Sequence, residues 1–133
     1  RVSIYRKIGS SWSRVESKQN GDFVIGSVMD WGTFALLRDD APPIITNINF
    51  TDNAKNPTKR PAISCSISDI GSGIVKAEIY CDKKWLLAEY DGPRGTLSWE
   101  QDEDLPSGTH TITFLVADYA GLTRKEIRTI TVP

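Results

Sequence analysis

The stretch Ile63-Ser64-Cys65-Ser66-Ile67-Ser68 decides the fold, because apolar and hydroxyl side chains alternate through it without interruption. In an extended strand successive side chains point to opposite faces, so the apolar groups share one face and the hydroxyls share the other. The stretch therefore predicts a β-strand with one face buried and one face toward water.

The same period of two recurs along the rest of the chain, for example in a short strand predicted at 85–90, and no segment shows the 3.6-residue apolar stripe of a helix. Clusters of Gly, Pro, Asp and Asn separate the extended segments. This spacing predicts an all-β fold with seven short strands after residue 42, arranged as an immunoglobulin-like or fibronectin-III-like Greek-key β-sandwich. The residues predicted to face inward include Val75, Ala77, Ile79 and Cys81 in one strand and Ile112, Phe114 and Val116 in another.

Tandem prolines at Pro42-Pro43 mark the boundary before the sandwich, because proline cannot donate a ladder hydrogen bond. Upstream, turn signals at Gly9-Ser10-Ser11 and Asn20-Gly21 predict four short strands that form hairpins. We divide the chain into an N-terminal β-strand segment, residues 1–41, and the immunoglobulin-like sandwich, residues 42–133. The first segment is too small to bury a core alone, so we expect it to pack on the sandwich or to belong to an upstream β domain.

Composition excludes several classes of function. The 133 residues carry 16 basic and 17 acidic side chains and a formal net charge of −1, which is not the balance of a nucleic-acid-binding protein. No apolar run approaches the roughly 20 residues of a membrane helix. With one His and two Cys, the chain has little material for a zinc centre or a catalytic triad, so we expect a noncatalytic fragment of a longer protein.

Two aspartates at strand ends are the candidate metal ligands. Asp69 opens the loop after the second sandwich strand and Asp118 opens the loop after the sixth, and in this topology both loops emerge at the same end. Paired carboxylates with turn carbonyls would suit calcium, although we expect the chain to hold no cofactor. The simpler interpretation, which we favour from the sequence, is that each Asp accepts backbone N–H bonds and fixes its turn.

Other polar residues carry weaker signals. The acidic run 100–104 lacks the glycine and closing glutamate of an EF-hand loop, so it is predicted to be a solvated surface. His110 has no nucleophile nearby and is predicted to bond a backbone carbonyl at a strand corner. Cys65 and Cys81 face inward from opposite sheets, where an inter-sheet disulfide and two buried free thiols both fit the pattern.

Aromatic residues give the candidate binding surface. Trp85, Tyr90 and Trp99, with Tyr80 beside them, could form a flat face that stacks on sugar rings. Large aromatics are also the usual filling between the sheets of a small sandwich, and that interpretation is favoured for most of them.

Several of these motifs together resemble the C-terminal β-sandwich region of secreted lysostaphin-type zinc metallopeptidases, the peptidoglycan endopeptidases of Bacteroidetes-like bacteria. Some of them also occur in bacterial immunoglobulin-like domains, and Leu122 stands where the family commonly has Asn. The segments that carry the resemblance are 69–74, 85–91, Leu97, 105–111 and 116–121 in the sandwich, and 4–6, Trp12, 32–36 and 40–43 before it.

The resemblance implies a noncatalytic accessory region that spaces or docks an upstream catalytic domain on peptidoglycan. Any zinc would lie in that upstream domain, and no catalytic residue is carried over to this chain. The implied location is extracellular, at the cell surface or in the periplasm, which would also permit a bridge between Cys65 and Cys81. The alternative is a carbohydrate-binding or adhesion module of a bacterial surface protein, in which the partner is a glycan.

Overall fold

The structure is a computed structural model that describes residues 1–133, and all of its regular secondary structure is β. It contains no helix long and apolar enough to cross a bilayer. The strands before the prolines pair only with one another, and so do the strands after them. The first group comprises β1 (Val2–Ile8), β2 (Ser11–Arg14), β3 (Ser17–Asn20), β4 (Phe23–Gly26) and β5 (Phe34–Arg38).

The N-terminal strands form two small sheets. β1 lies between β2 and β5 in an antiparallel sheet, while β3 and β4 form a separate hairpin. Gly9 and Gly21 occupy the two hairpin turns with φ of 62° and 59°, a conformation that costs glycine least. One strand, β3, was not predicted from the sequence, because its residues Ser17–Asn20 are all polar and show no alternation.

The sandwich contains nine strands in two sheets. One sheet has the order β10-β9-β13-β14-β7 and the other has the order β11-β12-β8-β6. All pairs are antiparallel except that of β14 with β7. The strands are β6 (Ile44–Thr46), β7 (Ala54–Lys55), β8 (Ile63–Ser68), β9 (Ile74–Cys81), β10 (Lys84–Leu86), β11 (Glu89–Asp91), β12 (Thr96–Trp99), β13 (Gly108–Asp118) and β14 (Thr123–Val132).

The core lies between these two sheets. Inward side chains of β8 and β13 alternate with outward ones as the period of two predicts. Phe114 is fully buried, with its ring centroid 6.4 Å from that of Phe50. The buried cluster comprises Ile63, Cys65, Ile67, Ile79, Cys81, Leu86, Leu97, Ile112, Phe114, Val116 and Ile130.

Three expectations within the sandwich are wrong, the first being the number of strands, which is nine rather than seven. Val75 was predicted to face inward but is 52% exposed, because the ladder shifts register between Ala117 and Asp118 and Ile74 packs on the core instead. The strand predicted at 85–90 is two strands, β10 and β11, which lie in different sheets. The chain crosses between the sheets at Leu87, which is exposed.

Candidate functional site

Three aspartates meet where the N-terminal segment joins the sandwich. Asp69 follows β8, Asp118 ends β13, and Asp39 follows β5, three residues before Pro42. One carboxylate oxygen from each lies within 4.8 Å of the other two. Asp39 and Asp118 are buried and Asp69 is half-buried. The structure therefore brings together the two aspartates singled out from the sequence and adds a third.

Asp69 and Asp118 each fix a turn with one oxygen. Asp69 Oδ2 accepts a hydrogen bond from the Gly73 N–H at 2.7 Å, and Asp118 Oδ1 accepts one from the Leu122 N–H at 2.9 Å. These bonds are the turn-fixing role favoured from the sequence. The second oxygens, Asp69 Oδ1 and Asp118 Oδ2, are buried and have no hydrogen-bond partner.

Asp39 is the residue that sequence reasoning missed. Its Oδ2 accepts hydrogen bonds from the Ser72 N–H at 2.7 Å and from the Ser72 hydroxyl at 2.6 Å, and its Oδ1 accepts one from the Ala41 N–H at 3.1 Å. The approach is so close that a Cβ built on Gly71 would overlap the Asp39 carboxylate. The adjacent pair Asp39-Asp40 was visible in the sequence, but nothing there indicated which of the two is buried.

Further contacts tie the same junction together. The Ser72 hydroxyl oxygen accepts a hydrogen bond from the Ala120 N–H at 3.0 Å, which links the two sandwich loops. The Arg14 guanidinium lies 4.6 Å from the ring centroid of Tyr119, and Arg1 donates to the Tyr119 carbonyl at 3.2 Å. Residues from β2 and from the chain start therefore contact the loop that follows β13.

The neighbouring carboxylates affect the pKa of Asp69 most directly. Burial raises the pKa of Asp69, and the neighbouring charges of Asp39 and Asp118 raise it further. Burial also opposes ionisation of Asp39, but the hydrogen bonds from Ser72 and Ala41 outweigh it and leave the pKa of that carboxyl lowered. The pKa of the Tyr5 hydroxyl is raised, first by burial and then by Asp39. The junction thus holds concentrated negative charge.

A second cluster, Cys81, Asp82 and His110, lies at the opposite end of β9. His110 Nδ1 is 2.6 Å from Asp82 Oδ2, and its Nε2 is 2.7 Å from the Pro106 carbonyl, the kind of backbone bond predicted for this residue. Both ring nitrogens are therefore already engaged. Burial raises the pKa of the Cys81 thiol to about 11 and that of the Cys65 thiol to about 12, and both cysteines are free rather than bridged.

The three aromatic residues predicted as a binding face are not on one face. Trp85 lies opposite Tyr80 across the β9–β10 pair. Tyr90 and Trp99 lie opposite Leu97 and Ile63, both core residues of the other sheet. Because cross-strand partners share a face, Tyr90 and Trp99 lie on the core-facing side of their sheet, where Trp99 packs on the core and Tyr90 is still 40% exposed. Trp85 is 52% exposed on the other sheet.

The acidic run 100–104 is anchored rather than wholly free. Asp104 forms an ion pair with Arg60 at 2.6 Å, and Gln101 Nε2 donates to the Pro61 carbonyl at 2.7 Å. Asp102 and Glu103 are exposed. The run is therefore mainly a surface loop pinned at two points, close to its predicted character.

No protein-family model and no curated protein matches the chain. Among solved structures, it is similar to an endo-β-1,4-mannanase from Thermotoga petrophila (TM-score 0.57, 15% identity), with 71% of this chain covering 20% of that one. It is also similar to CopC from Methylosinus trichosporium OB3b (TM-score 0.53, 13% identity, 68% of this chain and 92% of that one). A third is a structure of Clostridium thermocellum CbhA fibronectin(III)-like modules (TM-score 0.53, 13% identity, 98% of this chain and 76% of that one).

These likenesses establish the fold. The all-β, fibronectin-III-like or immunoglobulin-like sandwich predicted from the sequence is confirmed by the strand arrangement and by the CbhA modules. The chain spans about a fifth of the mannanase chain, the first of the three.

Proposed function

We propose that the chain is a noncatalytic accessory module that holds a neighbouring part of a secreted enzyme in a fixed orientation. The observation that carries this proposal is the junction: the carboxylate of Asp39, contributed by the N-terminal segment, accepts two hydrogen bonds from Ser72 of the sandwich while buried. A flexible linker would leave such a carboxylate in water. A buried, bonded joint suits a spacer that transmits orientation.

The comparisons support a module of a larger enzyme. The similar region is a fifth of an endo-β-1,4-mannanase chain, and another similar structure consists of fibronectin(III)-like modules. A shared fold does not identify a catalytic partner, whereas the sequence motifs point to one class of enzyme. The motif resemblance favours a zinc metallopeptidase acting on peptidoglycan, at the cell surface or in the periplasm, with this module spacing or docking the catalytic domain.

The test of the spacer role is whether the two parts tumble together. Backbone ¹⁵N relaxation of the full chain should give one rotational correlation time for amides of β1 and of β13. A shorter correlation time for the N-terminal strands would contradict the proposal, because a spacer whose joint is loose cannot fix orientation.

The enzyme context is tested separately, by deleting the module from the parent hydrolase and comparing cleavage of intact cell walls with cleavage of soluble fragments. Loss confined to intact walls is expected.

A carbohydrate-binding module is the second candidate, and the exposed Trp85 favours it. Trp85 lies opposite Tyr80 on a strand pair at the sheet edge, and half of the residue is exposed. Polysaccharides bind such rings through stacking. A glycan array probed with the native chain, Trp85→Ala and Trp31→Ala tests this function. Trp31 is almost fully exposed in the N-terminal segment and is the matched control. Binding lost only in Trp85→Ala would establish the second function, and binding to no glycan would remove it.

A further inference from the structure

We propose that Asp39, Asp69 and Asp118 together bind one calcium ion, which links the N-terminal segment to both loops of the sandwich. The three residues come from three separate segments that the fold brings to one end. This inference goes beyond the spacer role, since the module could be rigid without any ion.

Two buried carboxylate oxygens of the cluster have no hydrogen-bond partner in the protein. Asp118 is 1% exposed, yet its Oδ2 has no hydrogen-bond partner. Asp69 is half-buried, and its Oδ1 atom is likewise buried without a partner. Buried polar atoms are nearly always paired, and a buried carboxylate oxygen left alone is costly. Each of these residues uses its other oxygen on a backbone N–H, so the free oxygens are held in place.

The charge of the cluster is not neutralised by the protein. Five ion pairs occur in the structure, and none includes Asp39, Asp69 or Asp118. The guanidinium that comes near the junction, Arg14, donates to Ser3 Oγ at 3.2 Å and lies over the ring of Tyr119. Three carboxylates in a half-dry site repel one another unless a cation or a proton lies between them.

The donor set and spacing select the ion. All three donors are carboxylate oxygens, which suit hard cations such as calcium, magnesium and manganese, whereas zinc and copper favour nitrogen or sulfur. Calcium–oxygen bonds of about 2.3–2.6 Å place two ligands of one ion at most about 5 Å apart. The separations of up to 4.8 Å in this cluster fall within that limit. Magnesium requires shorter bonds and a near-ideal octahedron, which fits a cluster this wide less well.

Calorimetry and thermal unfolding of the full 133-residue chain, stripped with chelator, test the site. Calcium titration should show one site with a dissociation constant of about 10⁻⁴–10⁻³ M, the range of extracellular modules. Calcium at about 10 mM should raise the melting temperature by about 4–10 °C, and magnesium should raise it less. Equal or larger stabilisation by magnesium would overturn the calcium assignment.

Matched variants locate the ion. Asp118→Asn and Asp69→Asn keep the oxygen that accepts the backbone bond and remove the charge, so both should abolish the calcium-dependent shift. In chelator Asp118→Asn should melt no lower than the native chain, because it relieves repulsion. Asp40→Asn, the exposed neighbour of Asp39, and Asp102→Asn, in the exposed acidic run, should keep the full shift.

Retention of the shift in Asp118→Asn and Asp69→Asn would mean that calcium binds elsewhere and would overturn the proposal. Absence of heat and of any shift in the native chain would mean that the cluster binds no calcium, and would also overturn the proposal. A measurement that needs no variant guards against misfolding. Calcium should move the amide resonances of Gly73 and Leu122, whose N–H groups bond the proposed ligands, and unmoved resonances would refute the site.

Discussion

The N-terminal segment and the sandwich are built from the same kind of strand but hold together in different ways. The sandwich buries a cluster of eleven apolar residues between two sheets. In strands β1–β5 only Ser3 and Tyr5 are buried, while Phe23, Ile25 and Leu36 are each more than half exposed. The sandwich is therefore stabilised by its own core, whereas the N-terminal strands depend on polar contacts at one junction.

The largest change in unfolding free energy is expected when an apolar side chain is truncated in the sandwich rather than in the N-terminal segment. Phe114→Ala should cost about 3–5 kcal/mol of unfolding free energy, since it empties a site in the middle of the core. Phe23→Ala, which truncates a side chain 72% exposed on β4, should stay within about 0.5 kcal/mol. Urea unfolding of both variants measures the contrast. Comparable losses would mean that the N-terminal strands have an apolar core after all.

The next effect concerns the junction. Gly71→Ala should cost about 1–3 kcal/mol, because the added methyl group overlaps the carboxylate of Asp39 and forces it away from Ser72. Gly92→Ala is the matched control, since its nearest neighbour would be at an ordinary contact distance of 3.9 Å. Thermal unfolding of the Gly71→Ala and Gly92→Ala variants measures the difference. A tolerated methyl group at Gly71 would show that Asp39 is not held there.

A smaller, pH-dependent effect belongs to the sandwich alone. Although burial opposes the charged form of His110, the bonds to Asp82 and to the Pro106 carbonyl outweigh it and raise the pKa of the imidazole. Because the folded-state pKa is raised, its stabilisation is fully present below about pH 6.5, the unfolded value, and is lost as the pH rises through the folded pKa.

NMR titration of this single histidine should give a pKa above the ordinary value, and Asp82→Asn should lower it. A pKa at or below the ordinary value in the native chain would mean that the Asp82 bond does not stabilise the imidazolium. The amide resonances of the N-terminal strands should not change with this titration, because His110 lies in the sandwich.

The smallest change in stability is expected in the turn between β9 and β10, which differs from the N-terminal hairpin turns. The two N-terminal hairpin turns have glycine at positive φ, but the β9–β10 turn places Asp82 and Lys83 there, with φ of 49° and 69°. Lys83→Gly should therefore stabilise the chain by about 0.5–1 kcal/mol. Lys84→Gly, one residue later and within β10, should destabilise it. The melting temperatures of the two variants should move in opposite directions.

The alternation of side chains could reveal which residues face inward, but not which strands pair. The residues 63–68 and 112–116 follow the predicted alternation because nothing interrupts their ladders. Val75 does not, since the register shift at Ala117 and Asp118 depends on the partner strand. The division of 85–90 between two sheets was equally invisible, because a sheet change leaves no mark in a six-residue apolar pattern.

The candidate site could be predicted in the same partial way. That Asp69 and Asp118 share one end of the sandwich follows from topology, which the turn signals were sufficient to indicate. Asp39 reaches Ser72 across 33 positions of sequence, and that contact depends on how the N-terminal sheets dock. Docking is set by shape and by polar contacts, for which a single sequence carries no periodic signal.

Amide hydrogen exchange of the native chain and of Asp39→Ala tests most directly the claim that the N-terminal strands are held through this junction. Protection of β1 and β5 should fall in Asp39→Ala while that of β13 stays unchanged, and Asp40→Ala should alter neither. Unchanged protection of β1 and β5 in Asp39→Ala, or an equal loss in β13, would contradict the account.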